Sequence, residues 1–242
     1  MDYINISKRI DQSVPVDFGR VFNNSIELFK KVWLQGFITV MITLVAMVPF
    51  YFIMYGPMVA MGITDPEMMD YDDVSAAMSG VMLLVMPVFI IFSMTITLCL
   101  NAAFLRICRK YDLNEMGKED YFFYFKKEYV VKALLLSVLM ISLSFLGMLA
   151  CGLGIIYLMV PMSLFPAFFA FDKELTSAEI VKAGFALGNK NWLIIFLLVF
   201  VTSIIAQLGI LLCFVGVLFT AMFSKVPAYF IYKEAIGLSM DT

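Results

Sequence analysis

Residues 133–171, ALLLSVLMISLSFLGMLACGLGIIYLMVPMSLFPAFFAF, run for 39 positions without a charged side chain. As one straight helix the run would reach ~58 Å at ~1.5 Å per residue, about twice a ~30 Å hydrocarbon core. It must double back, and Cys151-Gly-Leu-Gly154 is the natural place for a reversal. Three further uncharged runs flank it: Val32–Thr64, Val74–Leu105 and Asn191–Ser224. The last continues through Lys225 to Tyr232 and needs a reversal near Leu211–Phe214. This reading predicts six spans, at about 33–56, 80–105, 131–150, 153–171, 192–210 and 213–232.

Composition agrees. Of 242 residues, 62% belong to the set AVILMFWYC and only 15% are charged. Soluble domains carry roughly 45–50% apolar and ~25% charged residues, so the expected solvent is lipid. There is no histidine, which removes histidine metal sites, imidazole acid–base catalysis and every triad that needs one. The net charge of −2 offers no basic footprint for nucleic acid.

The bases set the orientation. Residues 1–31 hold five Lys/Arg, 106–132 hold seven, 173–190 hold three and 225–242 hold two, the whole complement of 17. The loop 57–79 between them has Asp65, Glu67, Asp70, Asp72 and Asp73 and no base. By the positive-inside rule both termini are expected in the cytoplasm. No cleavable secretory pattern is read in the first 31 residues, which leaves the first span as the insertion signal.

Three segments approaching the membrane align: Phe29-Lys-Lys-Val-Trp-Leu34, Phe125-Lys-Lys-Glu-Tyr-Val130 and Gly188-Asn-Lys-Asn-Trp-Leu193. Pro166-Ala-Phe-Phe-Ala-Phe171 matches Pro227-Ala-Tyr-Phe-Ile-Tyr232 and, more weakly, Ala102–Ile107. Gly147-x3-Cys151-x2-Gly154 matches Gly209-x3-Cys213-x2-Gly216. The expected fold is therefore an all-α membrane protein, a single domain over 1–242. Its six transmembrane helices form three repeats (about 17–110, 118–173 and 176–235) of an interfacial amphipathic helix followed by a transmembrane hairpin. In the first repeat Phe18, Val21, Phe22, Ser25, Phe29 and Val32 fall at helical spacing, and in the third Thr176-Ser-Ala-Glu179 reads as a capping box.

The approach ending in Lys-x-Trp-Leu, the Leu208-Gly-x3-Cys-x2-Gly-x-Leu-x-Thr220 turn and the closing Pro227-Ala-Tyr-Phe-x-Tyr-Lys-Glu234 resemble a group of bacterial multi-spanning membrane proteins. These are similar to the membrane domain fused to some glycerophosphodiester phosphodiesterases. The resemblance implies a six-helix module of the bacterial inner membrane, mostly without assigned activity. The phosphodiesterase barrel has no counterpart here, so none of its catalytic residues carries over. Some relatives bear a carotenoid-oxygenase label, a chemistry that needs histidine-ligated iron and has no ligands in this chain.

Few residues invite chemistry. Lys225 falls about twelve residues after the Cys213 turn; it either snorkels to the headgroups or, with Arg106, holds an anionic lipid headgroup. Cys151 and Cys213 occupy equivalent outer turns, where they either pack or, in an oxidising compartment, form a disulfide. Cys99 and Cys108 read as packing residues. The acidic loop 65–73 lacks the register of an EF-hand and reads as solvated. Ser142, Ser144, Thr95, Asn101, Thr202, Ser203 and Gln207 are expected to make interhelical hydrogen bonds. Pro87, Pro161, Pro166 and Pro227 are expected to bend their helices. No acidic residue lies inside a span, which argues against proton- or sodium-coupled carriers. The expected function is a non-enzymatic membrane module that works with lipids or partner proteins and needs no cofactor. The alternatives are a facilitator for a lipid or small uncharged solute and, third, an enzyme acting on lipid headgroups.

Overall fold

The computed structural model describes residues 2–60, 76–150, 152–211 and 215–237. Within them the chain is all-helical. Five helical stretches are long and apolar enough to cross a membrane: Phe18–Ile53, Val85–Leu113, Lys127–Leu149, Leu153–Phe171 and Trp192–Ile210. The chain is a multi-pass membrane protein. Large apolar side chains stand exposed on each of these stretches, among them Phe52, Val88, Phe145, Leu153 and Phe200. A monomer in water rarely carries so extended an apolar surface, whereas lipid covers one without cost.

Helix α1 (Tyr3–Gln12) turns Ile6 and Ile10 inward and ends just before Pro15, where helical geometry is disfavoured. Helix α2 (Phe18–Ala60) opens on Asp17, whose carboxylate accepts the Arg20 backbone N–H at 2.7 Å. Its buried stripe Val21, Ser25, Leu28, Val32, Gln35 and Thr39 steps by four and three residues, keeping one face inward for five turns. At 43 residues it is a rod of ~65 Å. The first amphipathic segment is therefore continuous with the first span rather than a separate surface helix. Lys30 and Lys31 lie outside the buried stripe, and Lys, Val, Trp and Leu are all tolerated inside a helix.

Helix α3 (Ala76–Leu113) leads through a 3₁₀ turn at Phe123–Phe125 into α4 (Lys127–Leu149). That short turn stands where the second interfacial helix was expected, because Gly117 is extended and Lys126 is in β geometry. Helix α5 (Leu153–Phe171) follows Gly152, which holds φ 77° in the left-handed region that glycine reaches without strain. Helix α6 (Ser177–Lys190) opens with the expected capping box: Thr176 Oγ1 accepts the Glu179 N–H, and the Glu179 carboxylate accepts the Thr176 N–H at 2.8 Å. Asn191, at φ −128° and ψ 33°, separates it from α7 (Trp192–Gln207).

The sixth expected span is not one helix. It consists of α8 (Val215–Thr220), a 3₁₀ segment over 221–225 and α9 (Val226–Ile236). Pro227 sits in the first turn of α9, where no intrahelical N–H is required, so it starts a helix instead of bending one. Pro87 lies within α3, and Pro161 and Pro166 within α5.

The two glycine pairs make matching contacts. A Cβ at Gly154 would meet Gly147 Cα at 2.8 Å, and a Cβ at Gly209 would meet the Gly216 carbonyl carbon at 2.5 Å. Each pair lets two antiparallel helix backbones touch. Thr220 Oγ1 bonds across the second hairpin to the Ala206 carbonyl at 2.6 Å.

Other hydroxyls behave differently from expectation. Thr39, Thr43, Thr95, Thr97, Ser142, Ser144 and Thr202 each donate to the carbonyl four residues earlier in their own helix, at 2.7–2.9 Å. A Ser or Thr hydroxyl reaches its own i−4 carbonyl without any neighbour, so these groups need no interhelical partner in lipid, and of the seven Ser144 also reaches across, to Met162 Sδ of α5 at 3.9 Å.

Candidate functional site at the basic end

Large aromatic side chains are buried where the basic segments meet. Tyr124, Phe104, Phe165, Phe168, Phe169, Tyr229 and Tyr232 are all buried there. Tyr232 stands edge-on to Phe168 at 5.3 Å and tilts against Phe171 at 5.1 Å, favourable geometries for aromatic quadrupoles. The phenols are tied to the carboxylates. Tyr232 donates to Asp172 at 2.6 Å, and Tyr229 donates to Asp112 at 2.6 Å, beside the Lys233 ammonium. Burial pushes the Asp172 carboxyl above its ordinary value, opposed by the Tyr232 hydrogen bond. Glu234 takes both arms of Arg20, at 2.8 and 2.9 Å. Lys190 donates to the carbonyls of Ile10, Asp11 and Ser13, completing the open end of α1 with a cation.

Glu119 is the hub of a second network. It accepts from Tyr111 at 2.7 Å, Tyr121 at 2.8 Å and the Gln35 amide at 2.9 Å. Burial alone would raise its carboxyl, but these donors and the Lys110 charge outweigh it and hold it below the usual range. Thus Asp112, Asp172, Glu119, Glu179 and Glu234 all serve as structural acceptors.

Between the ends of α3 and α5 lies a cavity of about 210 Å³. Arg106, Arg109 and Lys110 line it from α3, Tyr124 from the 3₁₀ turn, and Lys173 from the residues after α5. Four cationic side chains face one carboxylate, Glu115, which lies 3.4 Å from Arg109 Nε. The Arg106 guanidinium carbon sits 3.6 Å from the Phe123 ring centroid, so stacking fixes its plane. Tyr124 spends its hydroxyl on the Ala170 carbonyl at 2.7 Å, clamping the turn to α5 and closing one wall. A larger cavity of about 580 Å³ adjoins, sharing Lys110 and Glu115.

The two residues expected to share a site are apart in role. Arg106 lines the cavity, and Lys225 is not among its lining residues. Lys225 follows Phe223, whose ring lies 5.1 Å from Phe29, while Glu234 beyond it reaches Arg20. It is thus level with the turns of α2 just before Lys30 and Lys31, with its side chain exposed. Cys151 and Cys213 lie outside the described residues, as does the acidic loop 65–73. Cys99 and Cys108 are buried free thiols. No cluster of three metal-ligating side chains occurs among the described residues.

Sequence reasoning named Arg106 and missed Arg109, Lys110 and Lys173. Arg106, Arg109 and Lys110 are spaced i, i+3, i+4, which puts them on one helix face and was a readable signal. Lys173 joins them only through tertiary packing.

Compared with known proteins, the chain matches no family model, no curated protein and no solved structure.

Proposed function

We propose that this chain is a non-enzymatic module of a bacterial inner membrane. In this reading it crosses six times with both termini cytoplasmic, and works with anionic lipid or a partner protein at the inner leaflet. The broken segment 215–236 is the sixth crossing. Related membrane domains are those attached to some glycerophosphodiester phosphodiesterases.

The observation that carries the reading is a division of labour between ends. The spans present exposed apolar surface, while the basic residues gather around buried aromatics and a cationic cavity. Two further features favour it over the facilitator. The span hydroxyls named above are engaged within their own helices, although the buried hydroxyls of Ser93 and Ser137 have no partner. Asp112, Asp172 and Glu119 are engaged as structural acceptors, and Glu115, the carboxylate that lines the cavity, lies 3.4 Å from Arg109 Nε as its ion-pair partner. The matching Gly147–Gly154 and Gly209–Gly216 contacts support the repeat.

The test uses the full chain in sealed proteoliposomes of phosphatidylethanolamine and phosphatidylglycerol. Release of trapped glycerol or of a labelled lipid analogue stays at the protein-free rate, and lipid composition stays constant over hours. In intact cells, Asp70→Cys reacts with an impermeant maleimide from outside. Solute release, lipid turnover or labelling only after lysis each overturns the corresponding part.

A further inference from the structure

We infer that the 210 Å³ cavity between the ends of α3 and α5 is a binding site for a phosphate group, and that Arg106, Arg109, Lys110 and Lys173 recognise it. This deepens the reading of the chain as a lipid-interacting module and rests on it.

Charge is the first ground. Four cations around one small cavity repel one another, and Glu115 is the one carboxylate among the residues that line it. A bound dianion or a diester anion relieves that repulsion. Readiness is the second. Stacking on Phe123 holds the Arg106 guanidinium in one plane, and Arg106 makes no hydrogen bond or ion pair among the described residues. A guanidinium has five in-plane donors, and a planar fork held in advance loses little entropy when it meets phosphate oxygens. Arg109 is partly committed to Glu115, which positions it at the cavity edge.

Size is the third ground. Pockets for drug-sized molecules run about 300–1,000 Å³, so 210 Å³ suits a headgroup-sized anion and not a whole lipid. Location is the fourth. α5 ends at Phe171, and Lys173 follows within two residues, where the apolar stretch gives way to polar chain. That is the depth at which lipid phosphates lie. A phosphate from solution has the same chemistry, and the two sources are separated by experiment.

The full chain is placed in phosphatidylcholine nanodiscs containing a rising fraction of phosphatidylglycerol, and retained lipid is counted by native mass spectrometry. In a second arm inorganic phosphate is titrated in discs of phosphatidylcholine alone. Wild type is expected to retain one phosphatidylglycerol, and Arg106→Gln and Lys173→Gln each to weaken retention by about tenfold or more, as loss of a charge-assisted hydrogen bond does. Lys182→Gln, which removes an exposed base of α6 outside the cavity, leaves it unchanged. Arg106→Gln also removes the stack on Phe123, so Lys173→Gln is the variant that decides if the former is unstable. Saturable binding of inorganic phosphate with the same Lys173 dependence, without lipid retention, keeps the phosphate site and assigns it a soluble ligand. Equal weakening by Lys182→Gln, or no binding in either arm, overturns the site. Solute flux or lipid turnover alongside Lys173-dependent retention refutes the module reading and leaves the site standing.

Discussion

Replacing Gly209 with alanine tests the hairpin that carries the broken sixth segment. The new Cβ would lie 2.5 Å from the Gly216 carbonyl carbon, 2.5 Å from Thr220 Oγ1 and 2.6 Å from Val217 N. Two of these three are backbone atoms, so no side-chain rotation relieves the clash. Ordinary contact begins near 3.4 Å, and the two helical arms of the hairpin must therefore part by about 1 Å. Overpacking of this kind costs about 1–3 kcal/mol. The separation also stretches the Thr220 Oγ1 bond to Ala206, now 2.6 Å, for about 1 kcal/mol more. The expected loss is about 2–4 kcal/mol. Gly19→Ala is the control, because its Cβ meets only Asp17 Oδ1 at 3.6 Å; it should stay within about 1 kcal/mol of wild type. Unfolding in sodium dodecyl sulfate is followed with a thiol-reactive dye, which reads the buried Cys99 and Cys108 as they emerge. The background carries Cys151→Ser and Cys213→Ser, so only those two thiols report. If Gly209→Ala is as stable as Gly19→Ala, the close backbone approach does not exist.

Three other outcomes are expected. The carboxyl of Glu119 is held below its ordinary value of 4.5, so its network stabilises the fold above that pH, and the gain is lost as pH falls from 4.5 through the depressed value. Glu119→Gln should flatten this acid limb in stability measured between about pH 6 and 3; an unchanged limb would sink the idea. Asp172 is shifted the other way, by burial, so its contribution to stability falls as pH rises from 3.8 through the raised value. Tyr232→Phe removes its donor and should cost about 1–3 kcal/mol at neutral pH, and Asp172→Asn should abolish the pH dependence; neither change appearing would show that the pair is not coupled. Lys190→Met withdraws the cation from the Ile10, Asp11 and Ser13 carbonyls and should speed tryptic cleavage after Lys8 and Arg9 several-fold, while a rate equal to wild type would mean the latch is idle.

How legible all this was in the sequence varies from element to element. Helix α5 spans Leu153–Phe171 as expected, because a glycine turn and Asp172 bracket one unbroken apolar run. The capping box of α6 was equally readable, since its signal is local. The continuity of α2 was not, because Lys30 and Lys31 mark a change of surroundings without breaking a helix. Helix α1 escaped notice: ten residues with two inward isoleucines give too short a pattern to stand out. For the cavity, Arg106 was found and its partners were not. Three bases on one helix face are a sequence property, but the arrival of Lys173 depends on how α5 packs against α3. Hydroxyl groups misled for a related reason, as polarity within a span does not say whether the partner is a neighbour or the residue's own backbone.

The contacts that fasten α1 and the start of α2 to the rest of the fold join residues very far apart in sequence. Lys190 holds the carbonyl of Ile10, Glu234 holds Arg20, and the Ile236 carbonyl accepts from Arg9. At ~5–20 residues per second a ribosome needs roughly 10–45 s to make the stretch separating Arg9 from Ile236. Helix α1 therefore waits for α6 before Lys190 can hold Ile10, and longer still for α9 before Arg9 and Arg20 meet their acceptors.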